Sequence, residues 1–400
     1  MGRTKRKRPG PATEPAGAAV PAAVASVLGN DVLLAEILLR LDLPTWLVRA
    51  ALACRRWLRR ASDPAFLRRF RALHPPRVLA LRASAVGFSR ETRCLPVPQP
   101  PGLAAAARRA LATLRRSDLC DRRNGRLLVS IQDPDPTKFT TYAVRNLLNA
   151  ARGDEPIPQP PRSSPQRLLR NGSGTCNCNL LCLLEEDADS TSCLSLNLSY
   201  NYEELAADFS LLQTGVWGVT KSSVTQLPQS IMDTIVAHKL LVGRKFYMTT
   251  TLGYILGLDL TTAGFFTVQL PADIRNSTSF RLSRPQQSGL YLIGAKGFIL
   301  HVWHGDGMGQ WALVDTISVP EACGHLNVRR WVPDDIKSAP VSVLETGENA
   351  EFVFLELVAS GMVCCIQLSN RAVERVYLKK TEDVIRPVTM VWPPVFPVLS

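Results

Sequence analysis

Uninterrupted apolar runs of the length a bilayer demands are absent from this 400-residue chain, so no membrane span is expected. Also missing are a Gly-x-x-x-x-Gly-Lys phosphate loop, a nucleophile elbow and a His-Glu-x-x-His pair. Their absence removes the recognisable starting points for nucleotide, acyl-transfer and zinc-protease chemistry. Histidine is limited to five residues, none beside the densest cysteines, Cys176, Cys178 and Cys182. Structural zinc wants ligand pairs spaced by two to four residues. Here the first spacing is one residue, and Leu180 and Leu181 run on into a strand, so neither metal nor cofactor is expected. A secretory leader is not expected either, because Pro21 and the alanine-weighted composition make Val20 to Val27 a poor apolar core for one. The ten cysteines therefore read as reduced thiols, Cys364 and Cys365 inside an apolar strand. Acidic residues are scarce at the N-terminus: residues 1–120 hold 22 Lys+Arg against 7 Asp+Glu, the remainder 25 against 27. The near-neutral remainder argues against a nucleic-acid groove there.

Residues 1–27 are poor in large apolar side chains and read as a disordered basic tail. Lys5, Arg6, Lys7 and Arg8 form a compact cluster of the nuclear-import kind, with a solubilising tail as the alternative. Nucleus and/or cytoplasm is the expected location. From residue 28 a helical period sets in. Asn30 and Asp31 suit an N-terminal cap, and Leu33, Leu34, Ile37, Leu38 and Leu41 follow at helical spacing. Asp42 and Pro44 end that helix and start a second, Trp46 to Arg60, carrying Leu47, Cys54 and Trp57. Asp63-Pro64 opens a third, and Pro75-Pro76 closes it. Roughly 45 residues lie near the lower limit for a self-sufficient core, so a partner surface is expected.

The pattern LGNDVLLAEILLRL, a Pro-containing break, LVRAALACRRW and DPAFLRRF resembles the F-box, especially its plant branch. Leu28, Asp31, Leu33, Glu36, Ile37, Leu38, Leu41, Leu47, Arg49, Cys54 and Trp57 fall on family positions, while Gly29 stands where the family has proline. The resemblance implies that residues 28–74 dock on the Skp-type adaptor of a cullin–RING ubiquitin ligase. Leu28, Gly29, Leu33, Ile37, Leu38, Leu41, Leu47, Cys54 and Trp57 would form the contact.

Beyond Pro76 the period changes. RVLALRA (77–83) alternates as a strand, Ala104 to Leu114 suits a surface helix, and Asn124-Gly125 before RLLVSI signals a hairpin. The Pro-rich stretch Asp154 to Asn171 reads as loop. FYMTTTLGYILGLDL (246–260) and LYLIGAKGFILHVWH (290–304) match at an offset of 44 residues, pairing Tyr247 with Tyr291 and Gly253 with Gly297. FVFLELVASGMVCCIQL (352–368) is a looser third copy. Strand, glycine turn, strand, polar turn, strand is the content of a propeller blade, so residues 77–400 are expected to form six or seven blades. Neither a Gly-Gly kelch signature nor a Trp-Asp repeat is present, and a β-sandwich is the alternative. RVLALRA and the terminal PVTMVW (387–392) are the candidates for a blade shared by both chain ends.

The whole therefore reads as an α+β multidomain chain: a three-helix F-box followed by an all-β target-recognition domain. His301, His304 and Asp306 suggest a catalytic group, but the glycines at 305, 307 and 309 make this a loop tip, and turn residues are the better reading. Two functions follow from different classes. One is a non-catalytic substrate receptor of an SCF ubiquitin ligase, holding an unknown target protein. The other is a ligand-binding, sugar-binding or hydrolytic propeller whose helices only pack.

Overall fold

The computed structural model describes residues 22–85, 92–112, 117–131, 140–146, 153–161, 176–184, 191–201, 203–227, 238–250, 252–275, 279–285, 288–333, 339–379 and 383–390, with isolated residues between and after them. Two compact units emerge: Met1–Pro75 with Pro394–Ser400, and Pro76–Pro393.

The helical unit contains α1 (Ala22–Gly29), α2 (Asp31–Leu39), α3 (Pro44–Ala51), α4 (Arg55–Ala61) and α5 (Pro64–Leu73). The sequence predicts three helices, and five are found among the described residues. α1 begins inside the stretch read as tail, and the run from Trp46 to Arg60 is two helices, not one. The break lies at Leu52–Cys54, where Cys54 is fully extended (φ −168°, ψ 166°) and re-aims the chain before Arg55. Local chemistry sets the other boundaries. The Asn30 side chain accepts the Val32 and Leu33 N–H groups, and Asp63 accepts that of Phe66 at 2.8 Å. Pro44 and Pro64 occupy first-turn positions that need no N–H. Leu34, Leu38, Leu39, Leu43, Leu47, Phe66 and Phe70 make the small core.

The second unit is a six-bladed propeller. Blade one is β3 (Asp118–Arg123), β4 (Arg126–Ile131), β5 (Thr141–Asn146) and β6 (Asp154–Ile157). β6 corrects the loop reading of Asp154 onward: Arg145 holds Asp154 across the pair at 2.5 Å, and an outer strand tolerates Pro156 because one edge has no partner. Blade two is β7 (Cys176–Leu183), β8 (Cys193–Tyr200) and β9 (Glu204–Gln213), with β10 (Val216–Trp217) and β11 (Lys221–Gln226) both on β9. Blade three is β12 (Lys239–Val242), β13 (Lys245–Thr249), β14 (Tyr254–Asp259) and β15 (Gly264–Gln269). Blade four is β16 (Phe280–Ser283), β17 (Leu290–Lys296), β18 (Ile299–Gly305) and β19 (Trp311–Ser318). Blade five is β20 (Val341–Thr346), β21 (Phe352–Leu357), β22 (Met362–Gln367) and β23 (Val373–Leu378).

Blade six is shared by the two ends of the domain. β24 (Asp383–Thr389) pairs with β1 (Val78–Ala85), which pairs with β2 (Thr92–Pro96). The β1–β24 register sets Leu81 opposite Pro387 and Arg82 opposite Arg386, joining the two segments expected to close the ring. Helix α6 (Pro101–Ala112) packs Leu103 and Ala107 on Leu79 and Met390.

Six apolar clusters join each blade to the next. Leu128 and Val144 of blade one meet Leu183 and Leu212 of blade two. Leu196 and Phe209 then meet Phe246 and Leu258, and Ile255 and Val268 meet Leu292 and Trp303. Ile293 and Val302 meet Val353 and Cys364. Phe352 and Val363 meet Leu81 and Ile385, and Ala80 and Val388 return to Leu127 and Val129. The core is therefore a closed ring of inter-blade seams, and no blade buries both faces alone.

The 44-residue repeat has the right content and an inexact register. Gly253 and Gly297 both take positive φ (81° and 60°) between paired strands. Yet β13–β14 opposes Thr249 to Ile255, while β17–β18 opposes Lys296 to Ile299 across a tighter turn. Ile255 is consequently buried and its sequence match Ile299 exposed. Asn124 and Gly125 both have positive φ between β3 and β4, as the hairpin signal implied.

Candidate functional site

Two surfaces carry chemistry, one in each unit. On the helices, the side chains that resemble F-box contacts divide by burial. Leu38 and Leu47 are fully buried core residues of the unit. Leu28, Ile37, Leu41 and Trp57 are half-buried; Gly29, Leu33 and Cys54 are exposed. Helical spacing alone marks the apolar stripe but not which of its members point inward. The expected contact set leaves out further large exposed side chains, among them Val32 at 66%, Trp46 at 42% and Leu52 at 48% accessibility. Arg49 sits 4.6 Å over the Trp46 ring and props it at the surface.

Arg56 ties the start of α2 to α4. Its guanidinium donates to the carbonyls of Leu28 (3.0 Å) and Gly29 and to the Asp31 carboxylate at 2.6 Å. These bonds satisfy carbonyls at the end of α1 that have no helical partner. Gly29 is the last residue of α1, and a Cβ there would meet nothing within 4 Å. Proline at this position would disfavour the helical conformation of Leu28, so the family proline implies a differently shaped approach to α2. Lys5 to Arg8 lie outside the described residues.

The other surface is the propeller's axial cavity, about 1010 Å³ in volume and bounded by the innermost strands β3, β7, β12, β16, β20 and β24. Arg122, Lys239, Arg281, Arg284, Lys379 and Arg386 line it, against the carboxylates Asp121, Glu345 and Glu348. Several of these arginines cross from one inner strand to the next. Arg281 Nε donates to Leu344 O (2.8 Å), Arg284 Nε to Leu241 O (2.7 Å) and Arg386 Nη1 to Leu119 O (2.8 Å). They thereby satisfy carbonyls on strand edges that face the channel instead of another strand.

Glu345 pairs with Arg122 at 3.2 Å. Burial opposes ionisation of Glu345, but the charges of Arg122 and Arg281 override it and hold its carboxyl below the ordinary range. Burial, aided by Arg281, pushes His238 down to about 3, so this imidazole is neutral. Burial also lowers Arg281 to about 10, with Glu345 opposing. Nothing in the spacing of Arg122, Arg281 and Arg386 marks them as neighbours; only ring closure collects them.

The cysteine-rich strand β7 turns Cys176, Cys178 and Cys182 to one face, packed against the leucine cluster between blades two and three. Burial raises Cys182 strongly and pushes Cys193 up to about 12, which keeps both as thiols. His304 is not a turn residue, contrary to expectation. It lies in β18 opposite Tyr291, ring centroids 5.0 Å apart, while His301 stacks on Trp303. The turn proper begins at Asp306, whose carboxylate accepts the N–H groups of Met308 (2.7 Å) and Gln310 (3.2 Å). No helix among the described residues is long and apolar enough to cross a membrane.

Fold and cavity define this as a six-bladed β-propeller protein with a small N-terminal helical unit. Residues 118–396 match the family described as F-box protein AT5G49610-like, beta-propeller, and the chain belongs to that family. No curated protein matches the chain. Among solved structures it is similar to apo AztD from Citrobacter koseri, at 13% identity over 67% of this chain and 61% of that one, TM-score 0.29. It is also similar to the β-propeller domain of Cps50 (Swd1) from Myceliophteria thermophila, at 10% identity over 66% and 84%, TM-score 0.33. This chain thus spans less than two thirds of AztD, and neither likeness carries function across.

Proposed function

We propose that this protein is a non-catalytic substrate receptor of an SCF-type ubiquitin ligase. Its helices hold the Skp-type adaptor, and its propeller holds a target protein. Membership of an F-box propeller family supports this reading, and the observation that carries it on the helical side is the exposed set Val32, Leu33, Trp46 and Leu52. A unit of five short helices that leaves these side chains in water is the surface an apolar partner would cover. The receptor acts by proximity, raising the target's effective concentration at the ubiquitin-charged enzyme.

The test is co-purification with a Skp-type adaptor. Leu33→Ser with Trp46→Ala should abolish capture while leaving the melting temperature near wild type. Undiminished capture by that folded double variant would remove the adaptor reading. Partial nuclear residence driven by Lys5, Arg6, Lys7 and Arg8 belongs to the same proposal. Alanine at all four positions should shift a fluorescent fusion toward the cytoplasm, and an unchanged distribution would reduce the cluster to a solubilising tail.

A further inference from the structure

The axial cavity has a charge balance that stapling between strands does not require. Around Glu345, whose ion pair among the described residues is with Arg122, gather Arg281 and the neutral His238, which in turn lies within charge range of Arg386. Among the described residues, Arg281 and Arg386 bond only to backbone carbonyls. Arg281 donates to Leu344 O and Phe280 O, and Arg386 to Leu119 O. Lys239 reaches only the Cys178 sulfur, at 3.5 Å. Among the described residues, three cationic groups therefore face one cavity with no carboxylate bonded to them, Glu345 acting on Arg281 only through space. Each guanidinium keeps N–H groups beyond those it uses. Cationic groups that converge on one concave cavity sum their field inside it, and an anion is drawn there.

We infer that the axial cavity is a binding site for a small multivalent oxyanion, held by Arg281, Arg386 and Lys239. The planar guanidinium fork suits the paired oxygens of a carboxylate or a phosphate, and both sources share that chemistry. A volume of about 1010 Å³ enclosed by six inner strands fits a small molecule. This inference stands apart from adaptor binding, since every residue it uses lies in the propeller.

Citrate and tripolyphosphate, titrated separately into the full-length chain by calorimetry at low salt, are the probes. One of them should saturate at one equivalent per chain, which assigns carboxylate or phosphate as the preferred group. Arg386→Gln and Lys239→Gln should each weaken that binding by about tenfold or more with little change in melting temperature. On the unmodified chain, hydrogen exchange should slow at Phe280–Ser283 and Val341–Thr346 when the anion is bound. The inference is overturned if neither probe saturates. It is equally overturned if both variants bind like wild type, or if protection is confined to the arginine-rich helices, since the anion would then sit on their surface.

Discussion

In the propeller, the apolar face of each blade meets that of the next until Val388 returns to Leu127, whereas on the helices Val32, Leu33, Trp46 and Leu52 stay in contact with water. Both regions are built from short elements that cannot bury their apolar sides alone. The β-domain solves this by ring closure. Five helices spanning Ala22–Leu73 enclose only a small core and leave the rest of their apolar surface open. The difference teaches where a partner is expected: an incomplete burial problem is the signature of a surface meant to be covered, and a closed ring presents its loops, its outer strands and its axis for recognition.

The sharpest way to break the comparison is to open the ring. Deleting Pro387–Ser400 removes the partners of Val78, Ala80 and Leu81 in blade six, takes Val388 from the seam with blade one and strips Met390 from the contact with α6. The expected outcome is loss of soluble protein, and a soluble, cooperatively melting product would show that closure is dispensable. Leu47→Ala, in the helical core, should cost about 2–5 kcal/mol in denaturant unfolding of that unit. Leu33→Ala, on its open face, should cost well under 1 kcal/mol, surface changes usually being small. Equal losses would mean that the open face is already covered.

Acid should distinguish the propeller again. His238 is held at about 3 in the fold by burial and by Arg281, and an unfolded histidine protonates near its ordinary value. The unfolded chain thus takes up the proton first, and stability is lost as pH falls from about 6.5 toward 3. Between pH 6.5 and 5 the loss is of order 2 kcal/mol, at about 1.4 kcal/mol per unit. His238→Gln should flatten that slope, and a pH-independent melting temperature in the wild type would contradict it. The smallest effect is expected at the helix cap. Asn30→Ala removes the acceptor for the Val32 and Leu33 N–H groups and should cost about 1 kcal/mol, read as a slight fall in the melting temperature of the helical unit.

Much of this architecture was legible in local chemistry. The caps at Asn30 and Asp63, the prolines at 44 and 64 and the Asn124-Gly125 turn act within a few residues, so they show in the sequence. The recurring strand–glycine–strand content announced blades, and RVLALRA with the C-terminal strand announced the shared one. Reading Trp46 to Arg60 as one helix failed because apolar spacing continued through Leu52 to Cys54 while the backbone turned extended.

By itself, then, the sequence determined the two kinds of domain, the turn positions and the apolar inventory, since each rests on periodicity or on a residue's own backbone preference. Tertiary structure alone decided that there are six blades, that Leu38 and Leu47 face inward while Val32 and Trp46 do not, and that arginines from β3, β16 and β24 share one cavity. The physical reason is range. A cap or a turn closes over three or four residues, but burial and charge proximity depend on which distant strands the closing of the ring brings side by side.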